Sequence, residues 1–347
     1  MDLPETIASV EQLEEFLSRP SERLIASVRR LDDGDLLLLG AGGKMGPTLA
    51  RMALRAFRES GDSRRVYAAS RFSAPEVEAR LREWGICTLR GDLLDREFVR
   101  RLPDARYVVF MAGRKFGTAG DRSLTWALNA LLPGLIGERF RQARIICFST
   151  GNVYPLVPLT SGGATEDTPT APVGEYAQSA LARERIFEYF SRRHGVPVSI
   201  IRLNYAVEMR YGVVLDIATR VWQRQPVSLA MPAVNVIWQG DACEYTLRSF
   251  EICASPPAVL NVTGPELVSV RWLARELHRR LHEEGEPEFI GSEPESALLS
   301  NAARCFELFG YPNVPLGKIL QWTCEWVRAG LPTHDKPTHF DVRDGEF

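Results

Sequence analysis

The chain has 347 residues, 45% of them hydrophobic, and a formal net charge of −2. That is ample for a large core, in one large domain or two unequal ones. Near-neutral charge gives no electrostatic draw toward nucleic acid or an anionic membrane, and no apolar run approaches the ~18–20 residues of a membrane span.

Residues 1–34 read as a helical extension, with Val10, Leu13, Phe16 and Leu17 at helical spacing. The start of this segment is acidic and amphipathic, without the basic-then-apolar order of a signal peptide. The six cysteines (87, 147, 243, 253, 305 and 324) include no C-x-x-C pair, which fits buried thiols in a cytoplasmic protein. Leu36 to Leu39 is a short, wholly apolar run, as expected of a buried parallel strand. Helix signals follow over 45–58, then a strand from Arg65 to Ala69 and a helix over 74–84. Ile86 to Leu89 and Tyr107 to Met111 read as strands three and four, and 122–142 as one long helix. Arg144 to Phe148 is strand five, 174–193 a helix, and Val198 to Leu203 strand six. This alternation predicts an α/β fold, with a doubly wound parallel Rossmann sheet over 35–205.

Past residue 205 the pattern loosens. Short strands (227–230, 234–238, 258–262) mix with helices near 240–250, 268–284, 298–308 and 315–329. They predict a smaller α+β substrate lobe over 206–330, interleaved with the sheet. Residues 331–347 are a polar tail, either disordered or laid over the body.

The first strand runs into Gly40-Ala41-Gly42-Gly43-Lys44-Met45-Gly46 and then a helix. Glycines at 40, 43 and 46 allow a tight turn, close approach of a pyrophosphate and close helix–strand packing, and the helix start offers free N–H groups. This strand–loop–helix context predicts dinucleotide binding by Gly40, Gly42, Gly43, Lys44, Met45 and Gly46. Lys44 reads either as a phosphate partner or as a solvated lysine. The end of strand two chooses the cofactor. A carboxylate there would hold the ribose hydroxyls of NAD, but this chain has Ser70-Arg71 and no acid. An arginine pairs with a 2′-phosphate, so NADP is expected, with NAD as the alternative. After strand three, Asp92-Leu93 stand where an aspartate can accept from an adenine amino group or cap the next helix. Met111, Ala112 and Gly113, which end strand four, and Leu203, which ends strand six, are read as bordering the nicotinamide.

These residues resemble the extended short-chain dehydrogenase/reductase family, the NAD(P)-dependent epimerase/dehydratase group, over roughly 35–285. The glycine signature, Gly91-Asp92-Leu93, Asn129 as the family's structural asparagine, and Asn261-Val262-Thr263-Gly264 match in order. Phe148-Ser149-Thr150-Gly151-Asn152-Val153-Tyr154 is similar to the stretch that carries the catalytic hydroxyl, here Thr150. Tyr176, Ser179 and Glu184 match the catalytic helix. The resemblance implies that Tyr176 exchanges a proton with a substrate oxygen that Thr150 orients, while a hydride moves to or from nicotinamide. It also implies a homodimer, and the helix after strand five carries Leu181, Ile186, Phe187, Tyr189 and Phe190.

Three positions depart from the family. Ala180 stands where it has a lysine, Pro155 replaces a glycine, and Arg202 to Glu208 lacks the Gly-Pro usual in nucleotide-sugar enzymes. The lysine matters most. A tyrosine titrates near ~10, and lowering that by ~3 units takes ~4 kcal/mol of phenolate stabilisation, a task the family's lysine shares. Lys115, or its neighbour Arg114, is the candidate replacement cation. Lys115 is one of only four lysines among 42 basic residues. His278 and His282 lie four apart without a third ligand nearby, and Glu166-Asp167 precede the catalytic helix as weak substrate-binding candidates. The expected function is an oxidoreductase or epimerase acting on a polar, sugar-derived small molecule. A cofactor-binding sensor with little turnover and a non-redox lyase or isomerase stay open.

Overall fold

In the computed structural model, which describes residues 2–115 and 120–346, Leu36–Leu39 (β1) is fully buried, as befits a strand covered on both faces. It pairs on one side with Val66–Ser70 (β2), which pairs with Cys87–Arg90 (β3). On the other side come Tyr107–Phe110 (β4), Arg144–Thr150 (β5), Val198–Leu203 (β6) and Ala258–Val262 (β7). All these pairings are parallel, in the order β7-β6-β5-β4-β1-β2-β3. The chain turns outward in opposite directions from β1 and β4, so a ligand crevice opens at their carboxyl ends.

Helices cover both faces: α1 (Val10–Leu17), α2 (Glu22–Arg29), α3 (Gly46–Glu59), α4 (Pro75–Glu83), α5 (Arg96–Arg101), α6 (Arg122–Trp126), α7 (Leu132–Arg139) and α8 (Gly174–His194). The later helices are α9 (Val213–Trp222), α10 (Gln239–Arg248), α11 (Val270–Leu281), α12 (Ala303–Phe309) and α13 (Leu316–Arg328). The α/β architecture is therefore the expected one, with four local differences.

The predicted helix over 122–142 is α6 and α7 joined by a π turn at Ala127–Leu131, and the extra residue in that turn leaves Asn129 fully buried. Helix α5 was not anticipated. It has six residues, buries only Val99 and is capped by the Asp95 side chain. Residues 258–262, read as part of the smaller lobe, form the seventh strand of the main sheet, paired to β6 along their length. The lobe also shares α10, whose ten residues are all buried and whose Gln239 Nε2 donates to Thr48 Oγ1 of α3 at 3.1 Å.

The tail lies over the lobe. Phe340 is buried, Tyr205 donates its hydroxyl to the Phe340 carbonyl, and Asp216 accepts from the Thr338 backbone N–H at 2.8 Å. On α8, Phe187 and Phe190 are buried by the chain itself, while Tyr189 and, on the neighbouring π turn, Leu131 are exposed. The six cysteines are all free thiols. Among the described residues no helix is long and apolar enough to cross a membrane.

Candidate active site

The glycine loop follows from what each position must approach. Gly40 has φ +92°, and a Cβ there would stand 2.6 Å from the Ala112 backbone. A Cβ on Gly46 would overlap the Ala41 carbonyl, so glycine lets α3 close onto the strand. Gly42 backs onto Ser70, whose Oγ would lie 2.6 Å from an added Cβ. Gly43 is different: it is exposed, and an added Cβ would meet nothing nearer than the Gly40 carbonyl at 3.6 Å. The chain's own packing does not require glycine there, whereas close approach of a pyrophosphate would. Helix α3 begins without a side-chain cap; its Gly46 N–H donates to the Gly43 carbonyl at 3.2 Å and Pro47 has no N–H, so Thr48 carries the first-turn N–H left to an anion. The loop thus fits a dinucleotide.

From this loop a cleft of about 300 Å³ extends across the carboxyl ends of β4, β5 and β6. Gly40, Gly43, Lys44, Met45, Met111, Gly113, Lys115, Thr150, Tyr176 and Leu203 from the sequence reading all line it. Thr150 ends β5 in extended backbone, and Tyr176 lies in the first turn of α8. The Thr150 hydroxyl stands beside the Tyr176 phenol in the cleft wall, and it also accepts from the Asn152 N–H at 3.2 Å. Burial pushes the Tyr176 phenol above its ordinary value, while the Arg183 guanidinium and the Thr150 hydroxyl pull the other way.

Asn129 is a hub beneath this pair. Its Oδ1 accepts from the Arg114 backbone N–H (2.9 Å) and from Arg183 Nη2 (2.7 Å). Its Nδ2 donates to the Arg114 carbonyl (3.0 Å) and to Ser179 Oγ (2.9 Å). One side chain therefore fixes the loop after β4 to α8. Arg183, 5% exposed, also donates from Nη1 to the Phe148 carbonyl at 2.8 Å and lies over the Phe110 ring. Its Nε is buried without a partner, and among the described residues it makes no ion pair. The adjacent Glu184 is taken by Arg202 at 2.8 Å and by Ser149 Oγ. Arg183 was not singled out in the sequence. Its signal was its place on the Tyr176 face, seven residues on. Gly113 sits against the same guanidinium, and a Cβ there would overlap Nη2.

Both lysines read from the sequence are spoken for. The Lys44 ammonium reaches the Ala206 carbonyl (2.8 Å) and lies over the Tyr211 ring, in the wall of the same cleft as the glycine loop, so it is not a solvated lysine. Lys115 donates to the Thr338 carbonyl at 3.4 Å and feels Asp216. Burial lowers both, to about 8. The remaining predicted positions lie off the cleft. Ala112 is packed against Gly40. Ser70, Arg71, Asp92 and Leu93 lie at or just beyond the ends of β2 and β3. Arg71 is exposed and makes no ion pair among the described residues, whereas nearby Arg90 is paired with Glu78. Asp92 accepts from the Leu94 N–H at 2.9 Å, a local turn bond. Glu166, weighed as a substrate ligand, instead accepts from the Asn261 N–H at 2.8 Å. His282 lies beside the Val221 carbonyl. Sequence reasoning also missed Asn152 and Tyr211, both in the cleft wall.

A parallel sheet of this order, with a glycine loop at the switch point, is the architecture of a dinucleotide-binding α/β domain. Residues 36–207 match the model of the NAD dependent epimerase/dehydratase family. No curated protein matches at a significant level. Among solved structures, UDP-glucose 4-epimerase from Thermotoga maritima with UDP-glucose superposes with a TM-score of 0.70 at 18% identity, covering 85% of this chain and 99% of that one. UDP-glucuronic acid 4-epimerase from Bacillus cereus with UDP-glucuronic acid and NAD gives the same values. UDP-glucose 4-epimerase from Thermus thermophilus with NAD gives 0.67 at 20% identity, over 85% and 99%. At such identities the likeness is one of fold.

Proposed function

We propose that this protein is a nicotinamide-dependent oxidoreductase or epimerase acting on a sugar-derived hydroxyl or carbonyl compound. The observation that carries the reading is the Thr150–Tyr176 pair facing a cleft continuous with the glycine loop. Bound nicotinamide would supply hydride acceptance or return. Thr150 would hold the substrate oxygen, and Tyr176 would take or give the proton at that oxygen. Gly40, Gly42, Gly43, Met45, Gly46, Met111 and Leu203 would bound the cofactor, with Gly113 and Asn129 holding the wall behind it. Arg71, exposed and without an ion pair among the described residues, favours NADP over NAD. Asp92 and Leu93 would bound the adenine.

Two further readings belong with this one. Tyr189 and Leu131 expose apolar surface beside each other's elements and support a homodimer through α7 and α8. Sedimentation showing a monomer at working concentration would count against it. Free cysteines support a reducing compartment, the cytoplasm.

The experiment is a titration with NADPH and NADH by fluorescence, followed by a screen of sugars, sugar acids, lactones and nucleotide sugars at the nicotinamide absorbance band. Turnover that falls by roughly 10²–10⁴-fold in Tyr176→Phe, with cofactor affinity kept, is the expected result. Tight binding without turnover across the panel would instead favour a cofactor sensor.

A further inference from the structure

Arg183 is a buried guanidinium whose acceptors, the Asn129 amide oxygen and the Phe148 carbonyl, are both neutral. Buried charges are ordinarily paired with an opposite charge. The nearest acid in sequence, Glu184, is committed to Arg202. The charge of Arg183 is therefore not spent on the fold's own carboxylates. Its position says where it is spent. Residues 176, 180 and 183 fall on one helix face, and long helical side chains lie back over the turn N-terminal to their own Cα. The Arg183 side chain thus runs back along α8 toward Tyr176. Ala180 lies between the two, three residues before Arg183 and fully buried. A small residue there leaves the helix surface clear for the arginine stem. Gly113, opposite, is cut away to the same end.

We propose that Arg183 is the cation of this site: held by Asn129 and Phe148, it supplies from position 183 the positive charge that the related enzymes carry at 180, and it steadies the negative charge left on Tyr176 when the phenol gives up its proton. This inference rests on Tyr176 being the acid/base. Arg183 acts through Tyr176 and is a positioning residue. Ala180 is then one half of a relocation: the charge moved along the helix by one turn. Tyr176 is faced by Thr150 from β5, by Tyr211 from the segment before α9 and by Arg183 from its own helix, while Lys44, Arg114 and Lys115 line the same cleft. The Arg183 charge acts directly on the phenol. A guanidinium does not deprotonate in proteins, so this charge is constant where that of a lysine would titrate.

The test titrates the phenol itself in the protein without cofactor, using a difluorotyrosine at 176 so that ionisation falls where the protein stays folded. Three variants are compared with the parent: Arg183→Gln, Arg183→Lys, and Asn129→Asp, which sets a carboxylate on the guanidinium. The expected result is a midpoint raised by about one pH unit or more, tenfold in proton affinity, in Arg183→Gln and Asn129→Asp, with Arg183→Lys close to the parent. If Arg183→Gln does not fold, Asn129→Asp decides. A midpoint unmoved in the folded variants overturns the proposal. The readout requires no turnover, so it fails or succeeds separately from the oxidoreductase reading.

Discussion

Gly113 and Arg183 are complementary in space: the guanidinium Nη2 occupies the volume that a Cβ on Gly113 would need. Gly113 lies in the loop after β4 and Arg183 on α8, so the fit holds two separate elements at one spacing. Asn129 completes the joint, bonding Arg183 and both backbone groups of Arg114.

Gly113→Ala should therefore destabilise although the site is a loop. The added methyl forces a pinned side chain aside, and overpacking of this kind costs about 1–3 kcal/mol. Urea denaturation of the variant checks the figure. A midpoint equal to the parent's would mean that Arg183 moves freely and that the joint is not rigid.

Arg71 governs the other end of the cleft's ligand. Arg71→Glu should lower affinity for NADPH by at least about tenfold, because one charge-assisted contact to the 2′-phosphate is worth roughly 1.5–3 kcal/mol. Affinity for NADH should hold or rise, since a carboxylate can accept from the ribose hydroxyls. Parallel fluorescence titrations read both. An equal loss for the two cofactors would place Arg71 outside the phosphate site.

The two cleft lysines should leave a mark on stability against pH. Lys44 and Lys115 titrate at about 8 when folded, against an ordinary 10.5. Below pH 8 both states are protonated and the folded state bears the full cost of two buried ammonium groups. Between about 8 and 10.5 the unfolded chain binds more protons, so this contribution to stability rises with pH, and above 10.5 the cost is gone. Urea midpoints of the parent and of the double variant Lys44→Met, Lys115→Met should diverge in the parent's favour between about pH 8 and 10. A flat or opposite difference would refute the shifted titrations.

Much of the fold was legible because its strands are plain apolar runs. Leu36–Leu39, Tyr107–Phe110 and Val198–Leu203 are almost wholly buried, and each was read within a residue. The features not read share a physical cause. Helix α5 buries one side chain, too few to make a periodicity. The π turn at Ala127–Leu131 adds one residue to a helix without altering its composition. Residues 258–262 are apolar enough for a sheet, but nothing local says which sheet, since the partner strand is some sixty residues back. Within the site, the glycine loop and Tyr176 were visible as motifs at fixed spacing. Arg183 was not, because 38 of the 42 basic residues are arginine and one more carries no signal until its surroundings are known.

Glu14, in the first helix, accepts from Arg210 Nη1 at 2.7 Å across 196 positions of chain, and from Arg80 of α4. β7 likewise reaches the sheet only after the lobe's first helices have been laid down. Contacts so distant in sequence must close large loops before any of them is rewarded. Refolding from denaturant should accordingly be slow, with apolar strand edges exposed in the interval, and the yield of native protein set by how dilute the chain is while it waits.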